Sequence, residues 1–229
     1  MAQNGQEEGL SKTADASAPA AVEKQTGLYK AAGWLTGWLV YGLFRLKVIR
    51  GKDNIAPEGG FIVAGNHIHL ADPVFLRFAQ KRQIHYMAKA ELFDKPLTRW
   101  LCSSYGAFPV VRGKADDSAL NTALDILNSG KLMGTFPEGT RSKDGSIGRG
   151  KSGTVYLAYH SGKPIYPFAV YCKRKPIVPF CGYTIAFGDP VTAADLGVVE
   201  GTGKEFREAT RKLMAIITDL HEQCKAARE

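Results

Sequence analysis

Phe61-Ile62-Val63-Ala64-Gly65-Asn66-His67-Ile68-His69-Leu70-Ala71-Asp72-Pro73 is the stretch of sequence on which the fold turns. Its first four residues are a short apolar run that reads as a strand. Gly65-Asn66-His67 ends that run in a polar turn. Pro73 then suits the first position of a helix, where a missing N–H removes no hydrogen bond, and the helix reads on to Gln80. A strand that passes through a polar turn into a helix is the repeating step of an α/β protein.

Working outward, the same step recurs. Strands are expected at Ile84 to Ala88, Phe108 to Val111, Leu132 to Phe136, Ile165 to Tyr171 and Tyr183 to Phe187. Short helices are expected at Leu97 to Ser104 and Gly153 to His160. A longer one is expected at Ala115 to Ser129, where Leu120, Leu124 and Leu127 share a face, Asp116 and Asp117 favour the start, and Gly130 follows the end. A long amphipathic helix closes the chain from about Lys204 to Ala227, with Phe206, Leu213, Ile217, Leu220 and Cys224 as its apolar stripe. Thr202 and Glu205 fit a capping box at its start. The alternation implies an α/β domain over residues 49–229, a mostly buried mixed sheet flanked by helices.

Two segments precede it. Residues 1–26 are Ala-, Ser-, Gln- and Glu-rich, carry few large apolar side chains and read as a disordered tail. Residues 27–48 read as an apolar helix with Trp34, Trp38, Tyr41 and Phe44 at helical spacing between Lys30 and Arg45. Its apolar core, Ala31 to Phe44, is shorter than the roughly 20 residues a spanning helix needs. Aromatic residues with basic flanks suit the membrane interface instead; packing on the core is the alternative.

The 229 residues carry a formal net charge of +8, which suits anionic partners such as anionic lipid or phosphate-bearing substrates. Nucleic acid is not expected, since no Lys/Arg-rich run or familiar binding module can be read. The four cysteines (Cys102, Cys172, Cys181 and Cys224) form no C-x-x-C pair and imply neither a disulfide framework nor a zinc site, so a reducing cytosolic setting is expected.

His67 and Asp72 carry the first chemical signal. They lie at the strand-to-helix edge, where sites of α/β sheets gather. A histidine there can take a proton from a hydroxyl, and a carboxylate five residues on can fold back to hold the other ring nitrogen. The bland alternatives are a satisfied loop histidine and a helix N-cap. The His67-x-His69 pair raises metal binding as a rival, but Asp72 and Pro73 do not continue a metallo-hydrolase pattern. A second constellation is Phe136-Pro137-Glu138-Gly139-Thr140-Arg141-Ser142, in which Gly139 lets backbone N–H groups approach a ligand and Arg141 can fork onto phosphate oxygens. Arg112 ends one expected strand and Lys89 another. Lys114, Arg149 and Lys151 are close by in sequence and would extend a positive rim.

In order, N-H-x4-D, G-x-F-x-x-x-R, F-P-E-G-T-R-S and the Pro-bearing strand around Pro167 resemble the glycerolipid acyltransferase family, in particular its bacterial 1-acyl-sn-glycerol-3-phosphate acyltransferases, over roughly residues 45–190. The resemblance implies a glycerolipid-acyltransferase-like fold and transfer of a fatty-acyl group from acyl-CoA or acyl carrier protein to the 2-hydroxyl of lysophosphatidic acid, without a resident cofactor. It implies His67 as general base and Asp72 as its orienting carboxylate. Lys89 and Arg112 would serve the acceptor phosphate; Glu138, Gly139, Thr140 and Arg141 would build the acceptor site, and Pro167 would lie on the donor side. It implies a lysophospholipid acceptor at an anionic membrane surface, with the protein peripheral or monotopic on the cytoplasmic face. His69 departs from the family, which usually has a small residue there, and bears on acceptor choice.

Overall fold

The computed structural model describes residue 37 and residues 40–110, 117–173 and 178–229. The expected tail at 1–26, residues 27–36 and 38–39 of the expected interface helix, Arg112 and Lys114 lie outside them. Among the described residues seven strands form one sheet. They are β1 (Lys47–Arg50), β2 (Phe61–Gly65), β3 (Ile84–Lys89), β4 (Ala107–Val110), β5 (Leu132–Thr135), β6 (Ile165–Cys172) and β7 (Tyr183–Phe187). Their order is β1-β7-β6-β2-β5-β3-β4. Every neighbouring pair is parallel except β6 and β7, which are antiparallel. The sheet is therefore mixed, with a parallel centre of β6, β2, β5, β3 and β4.

The helices are α1 (Asp72–Ala79), α2 (Pro96–Ser104), α3 (Asp117–Asn128), α4 (Gly153–Ser161) and α5 (Gly203–Ala226). Strand periodicity divides the core between the two faces of the sheet. Ile62 and Ala64 of β2 join Met133, Ile165 and Ala169 in packing against α3, α4 and α5. Val63, between them in sequence, points the other way with Phe168, Tyr183 and Ile185, toward Phe75 and Leu76 of α1. The expected stripe of α5 is buried from Phe206 to Cys224, and its Thr202–Glu205 capping box is formed.

The N-terminal boundary departs from expectation. The helix expected to reach residue 48 ends earlier: residues 40–43 are helical, Arg45 takes a positive φ of 49°, and Lys47–Arg50 is a strand. Being an edge strand that among the described residues pairs only with β7, β1 half-buries just Val48 and Ile49, too short an apolar run to announce itself. The aromatic residues described here serve the core. The Tyr41 hydroxyl donates to the Phe78 carbonyl at 2.9 Å, and the Phe44 ring meets Phe75 edge-on at 5.2 Å. Among the described residues no helix is long and apolar enough to cross a membrane.

Because the central strands run parallel, the connections leaving β2, β5 and β3 emerge at one edge of the sheet. That edge receives residues 66–71, 136–152 and 90–95, which hold most of the expected site.

Candidate active site

Gly65 ends β2 against β6 so closely that an added Cβ would come within 2.5 Å of the Phe168 ring and carbonyl. Only glycine fits that approach. Asn66 then continues the pairing with its side chain: Oδ1 accepts the Val170 N–H at 2.8 Å and Nδ2 donates to the Val170 carbonyl at 3.0 Å. This buried amide fixes where the chain leaves the sheet, and hence where His67 stands.

His67 is held by hydrogen bonds on its backbone and by contacts on its ring. The His67 N–H donates to Glu138 Oε1 at 3.1 Å, and the His67 carbonyl accepts the Ser142 N–H at 2.7 Å. The imidazole stacks on Phe136 with ring centroids 4.0 Å apart. The 136–142 turn is thus the bed on which His67 lies, joining two constellations that are 71 positions apart in sequence. His67 Nδ1 lies 2.7 Å from Asp72 Oδ2, and the histidine side chain keeps 17% of its exposure. With a carboxylate at Nδ1, the neutral ring carries its proton there and leaves Nε2 basic.

Asp72 is fully buried and accepts from every side. Oδ2 also takes the Ile68 N–H at 2.8 Å and the His69 N–H at 2.9 Å, and Oδ1 takes the Tyr183 hydroxyl at 2.7 Å. It is not the N-cap: Ala71 holds that position and Asp72 begins α1, where the helix dipole favours a negative charge. Burial, and then the adjacent Asp72 charge, push the Tyr183 phenol well above its usual pKa, so it stays a neutral donor.

Glu138 is nearly buried, and its second oxygen accepts the Gly148 N–H at 2.9 Å. Both carboxylate oxygens therefore hold backbone, pinning the 136–152 connection under His67. Gly139 has φ +70°, and an added Cβ would meet Lys151 Nζ at 3.1 Å, which places that ammonium over the turn. Thr140 and Arg141 are exposed beside it. Lys89 ends β3, two strands from β2 and so about 10 Å across the sheet. Its ammonium pairs with Glu91 at 2.6 Å. His69 turns its Nδ1 to accept the Ala71 N–H at 3.1 Å. Pro167 is buried within β6, in register with Ala64. A cleft of about 320 Å³ lined by Ile68, Asp144, Tyr171, Lys173 and His221 opens nearby and includes neither His67 nor Asp72 nor Glu138.

A family model described as Acyltransferase matches residues 47–171, more than half of the chain, including His67, Asp72 and the 136–142 turn. The chain belongs to the Acyltransferase family. Among its family relatives, a 1-acyl-sn-glycerol-3-phosphate acyltransferase of Bacillus subtilis is 35% identical over 120 residues, 52% of this chain and 59% of that protein. One of Borreliella burgdorferi is 27% identical over 144 residues, 62% of this chain and 55% of that protein. A lyso-ornithine lipid O-acyltransferase of Pseudomonas aeruginosa is 27% identical over 120 residues, 52% of this chain and 46% of that protein. The chain thus spans about half the length of the curated relatives it matches. The fold of this family member is like that of the 1-acyl-sn-glycerophosphate acyltransferase PlsC of Thermotoga maritima, with a TM-score of 0.65 at 23% identity over 87% of this chain and 79% of that one.

Three residues of this Acyltransferase site were missed by sequence reasoning. Asn66 and Phe136 sit inside motifs that were read, and their signal was position next to His67. Tyr183 lies 111 residues from Asp72 on the far side of the sheet's centre and had no local signal at all.

Proposed function

We propose that the chain moves a fatty-acyl group from an acyl thioester to the 2-hydroxyl of 1-acyl-sn-glycerol-3-phosphate, giving phosphatidic acid. The observation that carries this reading is the 2.7 Å contact of His67 Nδ1 with buried Asp72, which leaves Nε2 to take a proton. The hydroxyl oxygen attacks the thioester carbonyl as its proton passes to His67 Nε2. The C–O bond forms, the C–S bond breaks, and the departing thiolate recovers the proton as a free thiol. Asp72 stabilises the imidazolium formed between those events. The donor is acyl-CoA or acyl carrier protein, and the balance calls for no further reactant.

Arg141 and Lys151 border the turn beneath His67 and supply cations for the acceptor phosphate, a role that the family resemblance extends to Lys89 and Arg112. Glu138 acts through the backbone of His67. The enzyme works at an anionic membrane surface on the cytoplasmic face. His69 beside the dyad, together with the lyso-ornithine lipid relative, favours a second reading in which the acceptor is another lysolipid.

The test is transfer of a radiolabelled acyl group from a thioester to a panel of acceptors: lysophosphatidate, glycerol-3-phosphate, lyso-ornithine lipid and lysophosphatidylcholine. The proposal expects lysophosphatidate to be labelled fastest. Preference for an acceptor without a terminal phosphate would overturn the acceptor assignment. Vesicle binding without consumption of thioester would overturn the enzyme.

A further inference from the structure

Helix α2 has no buried residue, although it connects two strands of the sheet. Leu97, Trp100 and Leu101 are 74%, 66% and 46% exposed, and their i, i+3, i+4 spacing places them on one face. A helix whose apolar face is left in water gains nothing from the core, so a partner outside the core accounts for it better. Leu70, 63% exposed, projects from the loop between His67 and Asp72, at the edge from which the chain sets out for α2.

The surroundings indicate the partner. Lys95, at the start of α2, and Arg99, on the side away from Leu97, Trp100 and Leu101 with its Nε donating to the Phe93 carbonyl at 2.7 Å, are exposed. Over residues 139–152 of the same edge stand the cations Arg141, Lys143, Arg149 and Lys151 against the one carboxylate Asp144. Exposed Trp and Leu on a sheet edge that also carries these cations suit a surface resting in the headgroup layer of an anionic bilayer. A second copy fits less well, since a two-fold contact through α2 would set these cations against their own images.

We propose that α2, assisted by Leu70, is a bilayer-contact surface that lays the His67 edge of the sheet on anionic lipid. It gives the acceptor a route to His67 without leaving the membrane. That purpose rests on the proposed lysolipid reading, but the contact is measured without turnover.

The full chain and a Leu97→Glu/Leu101→Glu variant are sedimented with phosphatidylglycerol and with phosphatidylcholine vesicles, with no thioester present. Wild type is expected to partition onto phosphatidylglycerol, and the variant to lose at least about tenfold in partitioning. The variant should keep its thermal midpoint and its turnover of short-chain, water-soluble substrates. A His67→Ala protein should bind vesicles as wild type does, so loss of activity alone leaves the surface standing. As a measurement free of folding effects, Trp100 fluorescence in a Trp34→Phe/Trp38→Phe background should be quenched by brominated phosphatidylglycerol. Unchanged partitioning of the double variant, or no quenching of Trp100, would overturn the proposal. So would a wild-type dimer that the double variant dissolves, which would assign the face to a second copy.

Discussion

Replacing Asp72 by Asn separates the chemistry of the dyad from its architecture. The carboxylate has an oxygen facing three donors (His67 Nδ1, Ile68 N and His69 N) and another facing only the Tyr183 hydroxyl. An asparagine of the same shape can keep its carbonyl oxygen toward the three and turn its amide toward Tyr183, whose hydroxyl can rotate to accept. The fold should therefore survive. What disappears, in the proposed mechanism, is the negative charge beside the imidazolium that forms as the acceptor loses its proton. Two unit charges about 4 Å apart at an effective dielectric of about 20 interact by about 4 kcal/mol. That corresponds to about a thousandfold in rate. Asp72→Ala differs in kind, because it strips the acceptor from two backbone N–H groups and a buried phenol, at about 1–3 kcal/mol each. Their sum approaches the whole stability of an ordinary domain, about 5–15 kcal/mol. The assay is release of thiol from an acyl thioester, beside a urea unfolding curve for each protein. The account expects Asp72→Asn to unfold near the wild-type midpoint and to lose about three orders of magnitude in kcat. A correctly folded Asp72→Asn enzyme within tenfold of wild type would refute the electrostatic role of Asp72.

Tyr183→Phe should remove the donor to Asp72 Oδ1 and cost about 1–3 kcal/mol of stability by leaving a buried acceptor short. That donor also holds the carboxylate in place at His67 Nδ1, so kcat should fall as well; an unchanged kcat would reduce Tyr183 to packing. Arg141→Ala should raise the KM for lysophosphatidate about tenfold or more with little change in kcat, as loss of a charged contact would; an unchanged KM would remove Arg141 from the proposed phosphate site. His85 is buried, and desolvation, followed by the nearby Lys131 charge, lowers its pKa. The unfolded chain therefore takes up the proton first, and stability should fall as pH drops through about 6.5. His85→Gln should flatten the fall in urea midpoint between about pH 7.5 and about pH 5.5, and an identical slope in the variant would reject that source.

The sheet was legible wherever a strand is buried on both faces. β2, β5, β6 and β7 announce themselves as apolar runs because helices cover both sides of them. β1 did not, being an edge strand with two half-buried residues between two charged ones. The aromatic spacing of residues 34–44 reads as helical without saying what such a helix would pack against: Tyr41 and Phe44 satisfy lipid and core equally well in a periodicity argument, and the Phe75 and Phe78 contacts separate the two. At the site, His67 and Asp72 could be paired in advance because five residues of loop suffice to bring them together. Glu138 could be found but not given its place, since its partners are the backbones of His67 and Gly148 and leave no trace in side-chain chemistry. Tyr183 could not be found, because strand order, not sequence distance, carries it to Asp72.

The most direct measurement is single-turnover transfer of a labelled acyl group to lysophosphatidate by His67→Ala, with lysophosphatidate binding followed in parallel. The account predicts that the acceptor still binds within a few-fold of wild type while transfer falls to the uncatalysed level. Transfer by His67→Ala at a rate close to that of the wild type would contradict it.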